Sequence, residues 1–329
     1  MNRSLAAKIA CKTGLRYAIE SVSHWSGVVA LNYHRIGDGR RSPFDRALWS
    51  ADADAFAGQV RILKTHLDLI TADDLPDVLG KRRGRFGMIT FDDGYRDNFE
   101  TAFPVLKAEG VAATFFLTSG FIGTTIVPWW DEIAWMLRSS KLDSVQVPGF
   151  LAEKVVYDQP DRNAAIAAVL RQFKKVPSES ADLFLEAIGK GTGSDRCRGA
   201  DLWMTWDMVR SMRGAGMAIG GHSVAHPVLS MANPERQKSE IVGSIERIAS
   251  ELCEPVTCFS YPFGGRKAFN EESVRILRHA GVRYAFTYYG GFRRFDDWAD
   301  YDVRRIAIEP EVTEDWFRCL VTIPEIFAR

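Results

Sequence analysis

Cysteine is scarce in this sequence and never occurs as a closely spaced pair. The five cysteines are Cys11, Cys197, Cys253, Cys258 and Cys319. Because their number is odd and no CxxC motif is present, the sequence indicates neither a disulfide framework nor a zinc site made of thiolates. We therefore expect reduced thiols that are mostly buried.

An excess of charge of either sign is also missing. The 329 residues include 42 Lys and Arg and 42 Asp and Glu, so the formal net charge is zero. A chain without net positive charge has no bulk attraction to nucleic acid, and we expect no nucleic-acid partner. Hydrophobic residues make up 46% of the chain, which is enough for a full globular core.

The N-terminal segment lacks a long hydrophobic run. Lys8, Lys12, Arg16 and Glu20 interrupt it at intervals of four, which is not the pattern of a signal peptide or a transmembrane segment. The same spacing places the four charges in one stripe of a helix, predicted over 3–22. The simplest expectation is a cytoplasmic location, with peripheral membrane association as an alternative. The sequence does not indicate an oligomeric state.

Short apolar segments alternate with helical patterns along the rest of the chain. The predicted strands are 27–33, 87–91, 112–118, 217–221, 256–262, 282–288 and 302–308. The predicted helices are 52–67, 98–110, 205–216, 233–252, 270–281 and 313–320. Apolar strands that alternate with helices indicate a parallel sheet covered by helices, and about seven such units predict an α/β fold of the TIM-like (β/α) barrel type. We expect one domain over 1–329, with a mostly helical insertion at about 124–204.

Two adjacent carboxylates, Asp92 and Asp93, follow the predicted strand 87–91 directly. Two ionised carboxylates repel each other unless a positive group lies beside one of them. His222 and His226 follow the strand 217–221 and could converge on one ion if the backbone turns helically between them. One carboxylate and two imidazoles leave coordination positions open for water and substrate, while the second carboxylate could act as a base.

The segments that contain these aspartates and histidines resemble motifs of a known enzyme family. "TFDDGY" (90–95) and "HSVAH" (222–226) resemble the first and second motifs of the polysaccharide deacetylases, carbohydrate esterase family 4, which are chitooligosaccharide deacetylase-like. The resemblance covers roughly 27–120 and 203–309. It implies a distorted (β/α) barrel, with Asp92 as the catalytic base. It also implies a divalent metal ion, expected to be zinc, bound by Asp93, His222 and His226.

The third motif of that family, arginine-proline-aromatic, is altered here. In "FSYPFGG" (259–265), Pro262 and Phe263 are present, but Tyr261 stands in place of the arginine. The resemblance implies that the backbone N–H of Phe263 donates to the oxyanion.

The family's arginine holds the catalytic aspartate, so a substitute is needed. Arg305 in "DVRRIAI" (302–308) is the first candidate, and Arg304 is the second. The alternative is that both are surface residues of an edge strand.

The family's last motif supplies a histidine as general acid at the end of a C-terminal strand, and no histidine follows His279. However, "VVALNYHRI" (28–36) is a strand that ends at His34, which resembles circularly permuted members. The first and last strands of a closed barrel are neighbours, so we expect His34 to be the general acid. The alternative is a buried histidine that is hydrogen-bonded to the backbone.

Aromatic residues suggest where a sugar could bind. Trp129 and Trp130 open the insertion, and flat indole faces stack well on sugar rings. The alternative is that both pack the insertion onto the barrel. Tyr95 and Pro262 are further candidates for contact with the substrate.

The function expected from the resemblance is metal-dependent hydrolysis of an N-acetyl group on a carbohydrate, which could be a polysaccharide, an oligosaccharide or a glycan precursor. Two alternatives stay open. The altered third motif could mark a non-catalytic carbohydrate-binding relative, and two histidines with one carboxylate also describe iron(II) oxygenases.

Overall fold

The computed structural model describes residues 3–157, 160, 162–197 and 199–328. The strands are β1 (Gly27–Tyr33), β2 (Arg35–Ile36), β3 (Trp49–Ala51), β4 (Asp68–Leu69), β5 (Arg85–Phe91), β6 (Thr114–Leu117), β7 (Ser144–Val145), β8 (Val155–Val156), β9 (Ala218–Gly221), β10 (Cys258–Ser260), β11 (Tyr284–Phe286), β12 (Arg293–Arg294) and β13 (Arg305–Ala307).

Seven parallel strands curl into a barrel-like sheet. Six of them follow one another in the order β11, β10, β9, β6, β5, β1, and β13 pairs in parallel with the far side of β1. A single parallel bridge between Phe286 and Val303 joins β11 to the segment before β13. The predicted distorted (β/α) barrel with about seven parallel strands is therefore confirmed. The short strands β4 and β12 extend the sheet beside β5 and β1.

The helices are α1 (Arg3–Lys12), α2 (Leu15–Val22), α3 (Ala53–His66), α4 (Leu75–Lys81), α5 (Phe103–Glu109), α6 (Trp129–Ser139), α7 (Asn163–Phe173), α8 (Ala181–Thr192), α9 (Trp206–Gly214), α10 (Pro234–Leu252), α11 (Glu271–His279), α12 (Glu314–Thr322) and α13 (Pro324–Phe327). Side-chain caps begin several of them. Asp52, Thr205, Asn233 and Thr313 each accept a backbone N–H of the first turn, which stabilises a helix by about 1 kcal/mol.

The N-terminal segment differs from its prediction. The single helix expected over 3–22 is divided into α1 and α2 at Gly14, whose φ of 74° lies in the left-handed region that glycine tolerates. The inner face of α1 packs on α12, where the Sγ atoms of Cys11 and Cys319 are 3.8 Å apart. Cys258 and Cys319 are buried but Cys253 is exposed, so the expectation of mostly buried thiols holds only in part.

The insertion between β6 and α9 contains α6, the β7–β8 hairpin, α7 and α8. These elements share an apolar cluster of their own, which includes Ile133, Met136, Val169 and Phe184. The insertion therefore has an apolar core of its own. In the part of the chain that the structure describes, none of the helices combines the length and the apolar character needed to cross a bilayer.

Candidate active site

Several of the candidate residues follow the barrel strands at the points where those strands end. His34 follows β1, Asp92 and Asp93 follow β5, His222 follows β9, and Phe263 lies shortly after β10. Because parallel strands end at the same edge of the sheet, these residues meet in one cleft of about 450 Å³. Its walls are formed by His34, Asp45, Ala47, Leu48, Ser50, Asp92, Asp93, Trp129, Trp130, Ala167, Leu170, Arg171, Lys174, His222, His226, Phe263, Gly265, Tyr288, Ile308 and Glu309.

Asp93, His222 and His226 form a buried cluster at the base of the cleft. Asp93 Oδ1 lies 3.5 Å from Nε2 of His222 and 3.6 Å from Nε2 of His226. One ligand atom from each of the three residues lies within 4.8 Å of the other two. Within the described residues, Asp93 Oδ1 has no hydrogen-bond partner although it is buried. A buried carboxylate oxygen without a partner is the feature expected of a metal ligand.

The tautomer of His222 is suited to metal binding. Its Nδ1 lies 2.8 Å from the carbonyl oxygen of Ser260 and donates to it, which leaves the Nε2 lone pair free to face Asp93. Burial lowers the pKa of both His222 and His226, so the rings are in the neutral, coordinating form. One oxygen and two nitrogen donors fit the ligand preferences of zinc.

The loop between the two histidines is not a helix, so the helical turn on which their convergence was expected to depend is wrong. Ser223 and His226 have positive φ values of 67° and 56°. Ser223 Oγ accepts the backbone N–H of His226 at 2.9 Å, and Glu240 Oε2 accepts two more N–H groups of the loop. A tight, hydrogen-bonded turn brings the two imidazoles together instead.

Unusual backbone conformations concentrate at this site. Of the seven non-glycine residues with positive φ in the described chain, four are Asp93, Ser223, His226 and Phe263. Such conformations cost on the order of 1–3 kcal/mol each and persist only where the surrounding structure fixes them. Their clustering indicates that the fold tolerates strained backbone here in order to orient the side chains of the cleft.

Asp92 is paired with Arg305. The guanidinium donates to Oδ1 and to Oδ2 of Asp92, both at 2.7 Å, and Arg305 is fully buried. Arg305 also donates to Ser260 Oγ, and the amide of Asn32 donates to Asp92 Oδ2 at 2.9 Å. This arrangement supplies the positive partner that the adjacent carboxylates require.

The pKa values of the two aspartates are shifted in opposite directions. Burial acts to raise the pKa of Asp92, but the charge and hydrogen bonds of Arg305 outweigh it and hold that pKa below its usual range. Burial, followed by the charge of Asp92, raises the pKa of Asp93 well above its usual value. A cation among Asp93, His222 and His226 would offset that penalty.

Neither Tyr261, which stands in place of the family's arginine, nor the second candidate Arg304 contacts Asp92 in the described chain. Tyr261 is buried, stacks on Phe269 with 3.8 Å between ring centroids, and donates to the carbonyl of Tyr301. Arg304 is partly exposed, and its Nε lies 3.8 Å from Asp302.

His34 lies at the wall of the cleft, with its ring edge-on to Tyr288 at 5.7 Å between centroids. Its hydrogen bonds within the described chain come from its backbone, to Ser50 Oγ and from Asn98, rather than from the imidazole. Burial lowers the pKa of His34 to about 4, and the nearby carboxylate of Asp92 opposes that shift. That the chain is circularly permuted stays a prediction.

The aromatic candidates divide into two groups. Trp129 lines the cleft beside Phe263 and also stacks on Phe173 at 4.2 Å, so it faces the cleft and packs the insertion at once. Trp130 is buried and packs edge-on to His226 at 4.7 Å. Tyr95 and Pro262 are buried and do not line the cleft.

The sequence did not reveal a buried chain of hydrogen bonds that begins at Trp130, which packs against His226. The indole N–H of Trp130 donates to the hydroxyl of Tyr95 at 2.7 Å, and that hydroxyl donates to Asp131 at 2.9 Å. Asp131 also accepts the backbone N–H of Asp45. No sequence signal marked these hydrogen bonds, because they depend on how the insertion is placed on the barrel.

The contact of Asn32 with Asp92 could have been predicted from the sequence. Asn32 lies two residues before His34, and because side chains alternate along a strand, the two residues face the same side.

The strand ends of this barrel hold one carboxylate and two imidazoles around a common point, beside the ionised carboxylate of Asp92, and this is a set of groups that hydrolytic enzymes use. The family model described as polysaccharide deacetylase matches residues 80–147 and 158–285. This match covers more than half of the chain, and the chain belongs to that family.

Comparisons with individual proteins agree. The Bacillus subtilis protein YxkH, named as a polysaccharide deacetylase, is 22% identical over 230 residues, which are 70% of this chain and 54% of YxkH. The chain therefore spans about half the length of this relative. The Streptococcus pyogenes deacetylase PplD, solved in complex with acetate, is 16% identical with a TM-score of 0.58 over 88% of this chain and 96% of PplD. IcaB from Ammonifex degensii is 19% identical with a TM-score of 0.55 over 90% and 96% of the two chains. At these identities the two structures show the fold.

Proposed function

We propose that this protein hydrolyses the N-acetyl group of an acetamido sugar in a carbohydrate. The observation that carries the proposal is that a group of possible metal ligands and an ionised carboxylate lie side by side at the base of one cleft. A buried Asp93–His222–His226 cluster lies next to Asp92, which Arg305 holds ionised. Family membership supports the same reaction class.

Asp93, His222 and His226 are the residues that would hold the divalent ion, and zinc is the ion we expect. When bound there, it would polarise the acetyl carbonyl and lower the pKa of a water from about 15.7 toward ~7. The orphaned oxygen of Asp93 and the free Nε2 of His222 support this assignment.

Asp92 is the base in this proposal. Arg305 occupies both carboxylate oxygens in the plane of the guanidinium, so the carboxylate has a fixed orientation. Because its pKa lies below the usual range, Asp92 is ionised at neutral pH and ready to accept a proton from the attacking water. For the same reason it holds the proton weakly and can pass it on.

The backbone N–H of Phe263 is the donor that would stabilise the tetrahedral oxyanion. The φ of 62° at Phe263 and of 56° at Gly264 make a tight turn at the wall of the cleft. A Cβ at position 264 would lie 2.5 Å from the backbone nitrogen of Tyr288, so only glycine fits there. Among the described residues the N–H of Phe263 has no acceptor, which leaves it available to the substrate.

His34 is the proposed acid. Since its pKa is about 4 in the free protein, it is neutral at pH 7 and must receive a proton during turnover. The proton released by the attacking water can supply it, because Asp92 is a weak base close to His34. The C–N bond then breaks as the amine nitrogen takes that proton, and acetate and a free amino sugar are formed.

A non-catalytic carbohydrate-binding role has less support. It was motivated by the missing arginine of the third motif. Arg305 reaches Asp92 from a different strand, so the base still has a guanidinium partner. The iron oxygenase alternative has no support from the family match.

Acetate release from a panel of N-acetylated oligosaccharides tests the proposal. We expect release by the zinc-loaded protein, loss on chelation with recovery on adding zinc, and a decrease of about 10²–10⁴ in the Asp92→Asn variant. Asp207→Asn is the matched control, because that side chain is exposed on α9 outside the cleft. Acetate release that survives both chelation and Asp92→Asn would contradict the mechanism.

A further inference from the structure

One face of α7 forms a wall of the cleft. Ala167, Leu170 and Arg171 of α7 line it together with Lys174, which caps the C-terminus of the helix. Their spacing of three, four and seven residues places them on the same side of the helix. The opposite side, which includes Val169, is buried in the core of the insertion. The two cationic side chains are therefore aimed at the cleft by the packing of the helix.

Lys174 reaches the reacting end of the cleft. Its Nζ lies 4.8 Å from the ring centroid of Phe263, the residue whose backbone N–H we assign to the oxyanion. Ammonium groups are attracted to aromatic faces, so this contact holds the charge in place. A substrate with its acetyl group at Phe263 would have its neighbouring groups within reach of α7.

Both cations lack an anionic partner. Across the described ranges, neither Arg171 nor Lys174 forms an ion pair, whereas Arg196 in the same insertion is paired with Glu132 and Asp182. Two carboxylates, Asp45 and Glu309, also line the cleft, but Asp45 is buried and caps the turn at Ala47. The charge of Asp45 acts on Lys174 without forming an ion pair with it, so the positive charge of this wall is only partly offset and faces the cleft.

We propose that Arg171 and Lys174 bind an anionic group, a phosphate or a carboxylate, carried by the substrate next to its N-acetylated sugar. This inference rests on the deacetylase function proposed above. A guanidinium binds both groups through two parallel hydrogen bonds, and an ammonium adds a point charge. The preferred substrate is then an anionic glycan or a glycosyl phosphate rather than a neutral chitooligosaccharide.

The test compares kcat/KM for acetate release from three substrates that share an N-acetylglucosamine unit. They are the neutral N,N′-diacetylchitobiose, its 1-phosphate, and a disaccharide of N-acetylglucosamine with glucuronic acid. We expect the wild type to favour at least one anionic substrate by about tenfold or more, less at high salt. Comparison of the 1-phosphate with the glucuronic acid disaccharide shows whether the site prefers a phosphate or a carboxylate.

Variants show whether α7 causes the preference. In an Arg171→Ala/Lys174→Ala protein we expect the ratio of anionic to neutral kcat/KM to fall toward one. Lys175→Ala is the matched control, because Lys175 is the adjacent lysine but contacts Gln172 outside the cleft. It should keep the wild-type ratio.

Two outcomes overturn the inference, and they are distinguishable. Equal kcat/KM for neutral and anionic substrates, or a preference that the double variant retains, removes the role of α7 and leaves the deacetylase function standing. Failure of the zinc-loaded wild type to release acetate from any of the three substrates removes the proposed function and the inference with it.

Discussion

Arg305 donates a hydrogen bond to each carboxylate oxygen of Asp92, both at 2.7 Å. Both side chains are buried, although 213 positions separate them in the chain. The contact exists because β13 pairs with β1, and β1 pairs with β5, so the two residues lie near the same point of the barrel. The barrel thus supplies from its last strand a guanidinium that the altered third motif, with Tyr261, does not supply.

Replacing Arg305 by leucine is expected to destabilise the protein strongly. The variant leaves the carboxylate of Asp92 buried without a counter-charge, which costs about 3–5 kcal/mol. The folded-state pKa of Asp92 is below its unfolded value, so the stabilisation is present above about pH 4 and is lost as pH falls through the folded pKa. In the variant, burial without Arg305 raises the pKa of Asp92, so this carboxyl becomes protonated and the penalty shrinks as pH falls. Urea unfolding followed by tryptophan fluorescence should therefore show a larger difference from wild type at pH 7 than at pH 3.5.

Arg304→Leu is the matched control for that measurement. The side chain is the same and the position is adjacent, but Arg304 is partly exposed and contacts Asp302 only at 3.8 Å. We expect a change within about 0.5 kcal/mol. If the two variants were destabilised equally, the special role of the Arg305–Asp92 pair would be refuted.

The barrel could be predicted because its buried parallel strands are short apolar runs, and the ends of such strands share one edge. This is why Asp92 and His222, which directly follow predicted strands, are expected to lie near one another, whereas Arg305 is a candidate only because the resemblance requires an arginine beside Asp92. The turn at Ser223 could not be predicted, because it depends in part on Glu240, a residue of α10 that accepts two of its backbone N–H groups. Tyr95 was predicted to contact substrate, but the fold of the insertion covers it, and no local pattern encodes that packing.

Zinc binding can be measured without any activity assay. A ligand that binds only the folded protein raises its stability, so adding zinc to metal-free protein should raise Tm. We expect His226→Ala to abolish most of that increase, because His226 is one of the three proposed ligands. His279→Ala should keep it, since His279 lies at the end of α11, outside the cleft. A wild-type increase that His226→Ala preserves would place the metal elsewhere.

The hydroxyl of Tyr95 is expected to support the proposed metal-binding cluster through Trp130, which packs against His226. Tyr95→Phe removes the acceptor of the Trp130 indole and the donor to Asp131, and Trp130 packs against His226. We expect a cost of about 1–3 kcal/mol in stability, and zinc affinity lower by roughly 10-fold or more. The measurements are urea unfolding and zinc competition with a chromogenic chelator. Tyr17→Phe, at an exposed position, is the control and should change neither quantity.

Asp131 should make the protein's stability depend on pH. Burial raises the pKa of Asp131 to about 7, against the opposing charge of Arg35 and the hydrogen bonds from Asp45 and Tyr95. The folded protein therefore binds this proton more tightly than the unfolded chain, whose aspartate pKa is about 3.9. The contribution to stability is fully present below about pH 4 and is lost as pH rises toward 7.

In Asp131→Asn that titration is absent, so the free energy of unfolding of the wild type, minus that of the variant, should fall between pH 4.5 and pH 7.5. Each unit of pKa difference is worth about 1.4 kcal/mol, which predicts a decrease of a few kcal/mol. Urea unfolding at several pH values measures it, with the exposed Asp207→Asn as a control that should show no comparable trend. A difference that stayed constant or grew with pH would mean that Asp131 is already ionised in the folded protein, held by Arg35. The Tyr95 hydroxyl would then be bonded to a carboxylate rather than to a carboxylic acid.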